Sequence, residues 1–180
     1  AQGGQGGLHQ RAGRNIVNLL NLRPGEKTCT YLAIKNFEAG SNFLTFATRG
    51  GIVKRTALKA YANVRQSGLI AVGLKENDRL LGVTLTDGND DLLLVTRLGH
   101  CIRFSEQDAR DMGRAAAGVK GIELAEGDEV IAVARVGMIA DQDGDPMTEE
   151  PSLALLTITS KGYGKRTPID EYRVQPESGK

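Results

Sequence analysis

The sequence has no tryptophan, and its four phenylalanines and four tyrosines make aromatic side chains only 4% of 180 residues. Stacking platforms of the kind that hold single-stranded nucleic acid therefore have little to be built from. Only two cysteines are present, Cys29 and Cys101, each in an apolar or β-branched run. Two isolated thiols exclude a disulfide framework and fit a reducing compartment. No run approaches the roughly 18 apolar residues of a membrane span, and the N-terminus carries no apolar signal core. The expectation is a cytoplasmic chain with no membrane partner. Sustained 3.6-residue periodicity is also missing, so long helices are not expected. The best helical candidate is a single turn at 105–110, with Ser105 as its cap and Asp108 in its first turn.

What is present is ordinary in bulk and uneven in detail. Hydrophobic residues make up 40% and charged residues 25%, as in globular proteins generally, and the length allows a real core. Glycine is abundant at 23 residues, which in a chain without helices means many tight turns. The net charge of +1 hides a gradient: residues 1–60 sum to +7, 61–120 to zero and 121–180 to −6. A basic surface can stand behind so bland a total.

Internal repetition is the strongest signal. Three segments share one pattern: Phe43-Leu-Thr-Phe-Ala-Thr-Arg-Gly-Gly-Ile-Val-Lys-Arg-Thr56, Leu92-Leu-Leu-Val-Thr-Arg-Leu-Gly-His-Cys-Ile-Arg-Phe104 and Leu155-Leu-Thr-Ile-Thr-Ser-Lys-Gly-Tyr-Gly-Lys-Arg-Thr167. Each reads as an apolar strand, a tight turn ending in glycine (Gly51, Gly99, Gly162) and a strand ending in arginine (Arg55, Arg103, Arg166). A second pattern alternates with the first: Gly13-Arg-Asn-Ile-Val-Asn-Leu19, Gly68-Leu-Ile-Ala-Val-Gly-Leu74 and Gly118-Val-Lys-Gly-Ile-Glu-Leu124. A polar turn follows each copy, at 25–27, 77–79 and 127–129, and then another apolar strand such as 80–85 or 130–136. The repeats fall roughly at 13–62, 63–112 and 113–174, with an acidic insertion at 141–150 and a tail at 175–180. A period near fifty with four short strands predicts an all-β fold of four-stranded antiparallel blades stacked as in a propeller.

Three stretches carry a family resemblance. They are Ile16-Val-Asn-Leu-Leu-Asn-Leu22 with the Pro-Gly-Glu after it, Met112-Gly-Arg-Ala-Ala-Ala-Gly-Val-Lys-Gly-Ile122, and Gly162-Tyr-Gly-Lys-Arg-Thr-Pro-Ile-Asp-Glu-Tyr172. In this order they resemble the C-terminal domain of the DNA gyrase A protein, over about residues 12–172. The resemblance implies a β-pinwheel, here an incomplete disc of about three blades, that binds and bends or wraps duplex DNA with little sequence specificity. It implies a non-catalytic part of a type II topoisomerase that guides the DNA segment for negative supercoiling. The implied partners are duplex DNA, the rest of the gyrase A protein and the gyrase B protein, in the bacterial cytoplasm at the nucleoid. The family's glutamine-arginine-glycine-lysine box is expected upstream of this chain. Gln2-Gly-Gly-Gln-Gly6 lacks its basic residues, and Pro176 and Glu177 interrupt the tail.

The expected DNA contacts are the basic residues on the matched hairpins: Arg49, Lys54 and Arg55; Arg97 and Arg103; Lys161, Lys165 and Arg166. Arg114 and Lys120 around the second glycine turn come next, then Lys59, Arg65 and Arg173. Cations repeated along a stack of blades would meet successive phosphates, giving salt-dependent and sequence-tolerant affinity. No recognition helix is expected, so any selectivity would come from bendability. Asp141, Asp143 and Asp145 open like a calcium loop, but Pro146 and Ser152 stand where glycine and glutamate are needed. No metal or cofactor is expected. His9 and His100 lack ligand spacing, and Gly3–Gly4, Gly6–Gly7 and Gly50–Gly51 lack the lysine of a phosphate loop. Tyr31, Tyr61, Tyr163 and Tyr172 are expected to pack in the core or at edges rather than act in catalysis. Two alternatives remain: the matching domain of topoisomerase IV, and a propeller-like protein-interaction module. Open blade edges would also invite self-association.

Overall fold

The computed structural model describes residues 20, 22, 24–38, 40, 42–65, 68–137 and 153–175. The first copy of the second pattern at 13–19, His9, the leading glycines, the acidic insertion at 141–150 and residues 176–180 lie outside them. The described residues form antiparallel β-sheet joined by 3-10 turns. None of their helices is long and apolar enough to cross a membrane.

Three hairpins carry the first pattern: β1 (Phe43–Thr48) with β2 (Ile52–Ala57), β4 (Asp91–Thr96) with β5 (Cys101–Ser105), and β8 (Ala154–Ile158) with β9 (Gly164–Pro168). All three turn in the same way. Gly51, Gly99 and Gly162 have φ of +78°, +89° and +84°, the left-handed conformation a tight bulged hairpin requires. Their N–H groups donate to the carbonyls of Thr48, Thr96 and Thr159 at 3.1, 3.1 and 2.9 Å. The same threonine hydroxyls accept from the N–H of Ile52, His100 and Tyr163 at 3.1, 3.2 and 3.2 Å. The repeated threonine is therefore the side-chain acceptor that closes each turn.

Each hairpin runs into a 3-10 turn, at Leu58–Tyr61, Glu106–Asp108 and Ile169–Glu171. The first N–H of each turn reaches back to the residue ahead of its hairpin, Asn42, Asp90 or Leu153, at 2.8–2.9 Å. Ser105 caps the middle turn by accepting from Gln107 N–H at 3.3 Å, so the expected helical turn is there in its shorter 3-10 form.

The sheets cross repeat boundaries. β3 (Leu80–Thr86) pairs with β1, and β7 (Val130–Val136) pairs with β4. β6 (Val119–Lys120) adds to the outer edge of β2. The sheet orders are β3-β1-β2-β6, β5-β4-β7 and β8-β9. Of the expected four-stranded blades, only the first has four strands among the described residues. In the second pattern, residues 68–74 are in no ladder and 118–124 enter one only through β6. At Gly118, with φ +107°, a β-carbon would sit 2.5 Å from the Val53 carbonyl, so the chain entering β6 lies with its backbone close against β2.

Two cores follow. One joins Ala47, Val53, Leu92, Leu94, Phe104, Ile122 and Val130 between the first two sheets. The other packs Leu44, Phe46, Leu58 and Tyr61 beneath Leu69, Ala71 and Val72. Of the tyrosines expected to pack, Tyr61 does, donating its hydroxyl to Ala71 O at 2.9 Å. Tyr31 and Tyr163 instead project into solvent. Cys29 and Cys101 are both free thiols.

Candidate nucleic-acid interface

The turn ends of the first two sheets assemble a strip of cations interleaved with carboxylates. The turn joining β1 to β2 carries Arg49, and the turn joining β4 to β5 carries Arg97, both exposed. The two polar turns of the second pattern lie alongside them. Arg49 N–H donates to Arg79 O and Arg97 N–H to Glu129 O, both at 2.9 Å. Asn77 and Gly127, at φ +63° and +72°, bend these polar turns identically. Asp78 N–H then closes on Lys75 O at 3.1 Å, and Asp128 N–H on Ala125 O at 3.0 Å.

The result is a shallow depression of about 680 Å³ lined by Arg49, Lys75, Arg79 and Lys120 and by the carboxylates of Glu76, Asp78, Asp128 and Glu129. Lys120 is brought there by β6, which pairs it with Ile52. Glu129 holds Arg49 at 3.3 Å, and the Arg97 guanidinium donates to Gly127 O. Burial pushes the Asp78 carboxyl up, but Thr48, the N–H groups of Gly50 and Arg79, and nearby Lys75 outweigh it and hold it below the usual carboxylate range. Asp128 is also depressed: desolvation raises it, and Thr96, the N–H groups of Leu98 and Glu129, and nearby His100 outweigh that. Both carboxylates stay charged near neutrality and are already committed to backbone donors.

The expected contacts separate into groups. Arg49, Arg97 and Lys120 share the turn-end strip. Arg65 and Arg114 line a separate open cleft of about 1010 Å³ with Val64 and Ile70. Lys59 and Arg173 are exposed near the opposite ends of the hairpins, and Lys161, Lys165 and Arg166 are exposed on the third hairpin. In turn register Ser160 matches Arg49 and Arg97, so Lys161 stands one position further along.

Three expected contacts are corrected by their burial. Lys54 is 1% exposed. Its ammonium donates to Ala71 O at 2.9 Å and to Arg114 O, and lies 5.2 Å from the centre of the Phe46 ring. Burial first, and then the Arg114 charge, lower its pKa to about 8. Arg55 stacks over Phe43 at 4.4 Å and faces Glu106 at 3.7 Å. Arg103 pairs with Asp91 at 2.8 Å and donates to Ile169 O and Tyr172 O. β2 and β5 are covered at these positions by the following segments, so the side chains tie elements together instead of meeting solvent.

Lys75 and Arg79 were the cations missed. Both sit in the polar turn at 75–79, which reads in sequence as punctuation between strands; only its partnering with the Arg49 turn reveals them. Asp87, Asp90 and Glu106 form the one tight carboxylate cluster among the described residues. Its oxygens are already taken by Arg135, Thr86 and the N–H groups of Gly88, Asp90 and Asp87. That makes it an internal knot rather than a cation cage. Burial raises the Asp90 carboxyl despite Arg135 at 2.6 Å.

Comparison with known proteins places this arrangement. The family described as DNA gyrase C-terminal domain, beta-propeller, matches residues 42–87, 90–136 and 154–180. The DNA gyrase A protein of Staphylococcus epidermidis (strain ATCC 12228 / FDA PCI 1200) is 42% identical over 171 residues, 95% of this chain and 18% of that protein. The Staphylococcus aureus (strain NCTC 8325 / PS 47) counterpart is 40% identical over 173 residues, again 95% of this chain and 18% of that protein. A solved C-terminal domain of DNA topoisomerase IV superposes with a TM-score of 0.76 at 31% identity, covering 91% of this chain and 47% of that one. A solved DNA gyrase A C-terminal domain, at 22% identity and TM-score 0.72, shares the fold. The chain thus spans less than a fifth of the curated relatives and about half of the solved domains.

Proposed function

The chain belongs to the family of DNA gyrase C-terminal β-propeller domains, and from that premise we propose that it binds and bends duplex DNA through the turn-end strip. The observation that carries this reading is the convergence of Arg49, Lys75, Arg79 and Lys120 on one depression, with Arg97 on the adjoining turn. Phosphates are met by such a strip without base readout, so affinity falls with salt and hardly varies with sequence. The domain contributes no catalysis. In the whole enzyme it guides the DNA segment for negative supercoiling, alongside the rest of the gyrase A protein and the gyrase B protein in the bacterial cytoplasm. Self-association through the unpaired side of β8 belongs to the same proposal, because a sheet that has two strands among the described residues leaves edge groups free. The likeness to the topoisomerase IV domain favours a second assignment of the same DNA-binding role. A supercoiling assay against a decatenation assay of the reconstituted enzyme separates the two.

The test is a salt series with a random-sequence duplex, comparing this chain with a variant in which Arg49, Lys75, Arg79 and Lys120 are alanine. The log–log slope should become shallower by roughly 0.9 for each phosphate no longer neutralised. An unchanged slope in a folded variant would sink the assignment of the strip. Alanine at Lys59 and Arg173, away from the strip, should change the slope less.

A further inference from the structure

Two of the carboxylates that stand among the cations of this surface bind backbone rather than cations. Asp78 Oδ1 accepts from Gly50 N–H at 2.8 Å and from Arg79 N–H at 2.7 Å. Asp128 Oδ1 accepts from Leu98 N–H at 3.0 Å and from Glu129 N–H at 2.9 Å. Gly50 and Leu98 occupy the same place in their turns, each directly after the strip arginine and before the left-handed glycine. The same hand-off occurs twice, fifty positions apart in the polar turns. One oxygen joins the tip of a hairpin to the polar turn that follows it, and the arginine ahead is held on both sides. The third hairpin is an internal contrast: among the described residues no carboxylate takes the N–H of Lys161.

We propose that Asp78 and Asp128 are positioning residues of the DNA interface, fixing the turns that present Arg49 and Arg97 to phosphates. This rests on the DNA-binding reading of the strip. Charge and geometry then make opposite predictions. A carboxylate that merely sits among phosphate-seeking cations weakens binding, so its removal should tighten the complex. A carboxylate that holds the turn strengthens binding, and its removal should loosen the complex despite the gain in positive charge. The depressed pKa of both groups agrees with carboxylates anchored by backbone donors.

The experiment compares Asp78→Ala, Asp78→Asn, Arg49→Ala and the Asp78→Ala/Arg49→Ala double variant, with the Asp128 and Arg97 set in parallel. Duplex affinity, amide exchange at Gly50 and Leu98, and thermal unfolding are read on each. Asp78→Ala should weaken binding about tenfold, the effect of one lost charge-assisted hydrogen bond, and should speed exchange at Gly50. Asparagine keeps an oxygen acceptor, so Asp78→Asn should bind at least as well as the parent and protect Gly50. The double variant should be no weaker than Arg49→Ala, because the clamp has nothing left to present. Tighter or unchanged binding by a folded Asp78→Ala, while Arg49→Ala weakens, overturns the positioning role and leaves the interface standing. Equal losses in Asp78→Asn and Asp78→Ala overturn it too, since keeping the oxygen acceptor would then make no difference. If Arg49→Ala and Arg97→Ala bind like the parent, the interface reading itself falls and the positioning role with it.

Discussion

Lys54 shows how little a side chain's formal charge says about where it points. Its strand neighbours Ile52, Val53 and Thr56 are buried as well, because segments crossing over β2 cover the position where period-2 alternation would leave an outward face. The sequence shows a lysine and an arginine at a strand end and leads to an expectation of solvent. The groups that cover it, Ala71 and Arg114, come from 17 and 60 residues downstream, beyond what a local pattern can register. A pH prediction follows. With its pKa lowered from 10.5 to about 8, Lys54 loses its proton in the folded state while the unfolded chain still binds one. Folded protein then carries fewer protons than unfolded, and this group's contribution to stability rises with pH across about 8 to 10.5. Below about 8 both states are protonated and the cost of burying the charge is fully felt. Against a Lys54→Met variant, the parent's relative Tm should climb between pH 8 and pH 10 and stay flat between pH 6 and pH 7. A difference that is constant with pH would mean the amine keeps its hydration in the fold.

Among the elements, the hairpins were the legible part, because every feature that makes them is local. A left-handed glycine, a threonine three residues before it and β-branched flanks lie within about a dozen residues. The second pattern was legible as a repeat but not as a structure. Its glycines suggested turns flanking a strand, whereas Gly118 and Gly121 thin the backbone where it crosses β2 and the first core. A β-carbon on Gly121 would meet Val53 Cγ2 at 2.6 Å. Replacing Gly118 by alanine combines a left-handed φ with a clash against a carbonyl, and should cost about 3 kcal/mol, read as a lower Tm and a lower denaturant midpoint. Alanine at Gly127 keeps the φ penalty, but nothing lies within 4 Å of its β-carbon, so it should cost about 1 kcal/mol. Equal costs at the two glycines would show that the crossing has room to yield.

At the scale of the whole molecule, arginines within β2 and β5 act as latches from one hairpin to the next. Arg55 forms an isolated parallel bridge with Asp111, and its carbonyl accepts Met112 N–H at 3.0 Å. Arg103 repeats this with Val174 and Gln175 N–H, at 2.6 Å. The offset is larger in the second case because the interval holds the acidic insertion at 141–150. The sequence made the three hairpins legible. The exchange of strands between repeats was hidden, since β3 completes a sheet begun in the preceding repeat and β7 does the same. No periodicity distinguishes a strand that pairs within its repeat from one that pairs outside it. The consequence is testable on the third hairpin, whose sheet has two strands among the described residues and would be marginal alone. Arg103 reaches it by its guanidinium, through Ile169 O and Tyr172 O, while Asp91 neutralises the charge. Arg103→Ala leaves Asp91 half-buried without its cation and frees both carbonyls, a loss of about 3 kcal/mol. Amide exchange should accelerate first in β8 and β9, with β1 and β2 keeping their protection, because their own latch at Arg55 and Glu106 is intact. Uniform acceleration through all three sheets would instead make the molecule one cooperative unit, with Arg103 a general support rather than a latch.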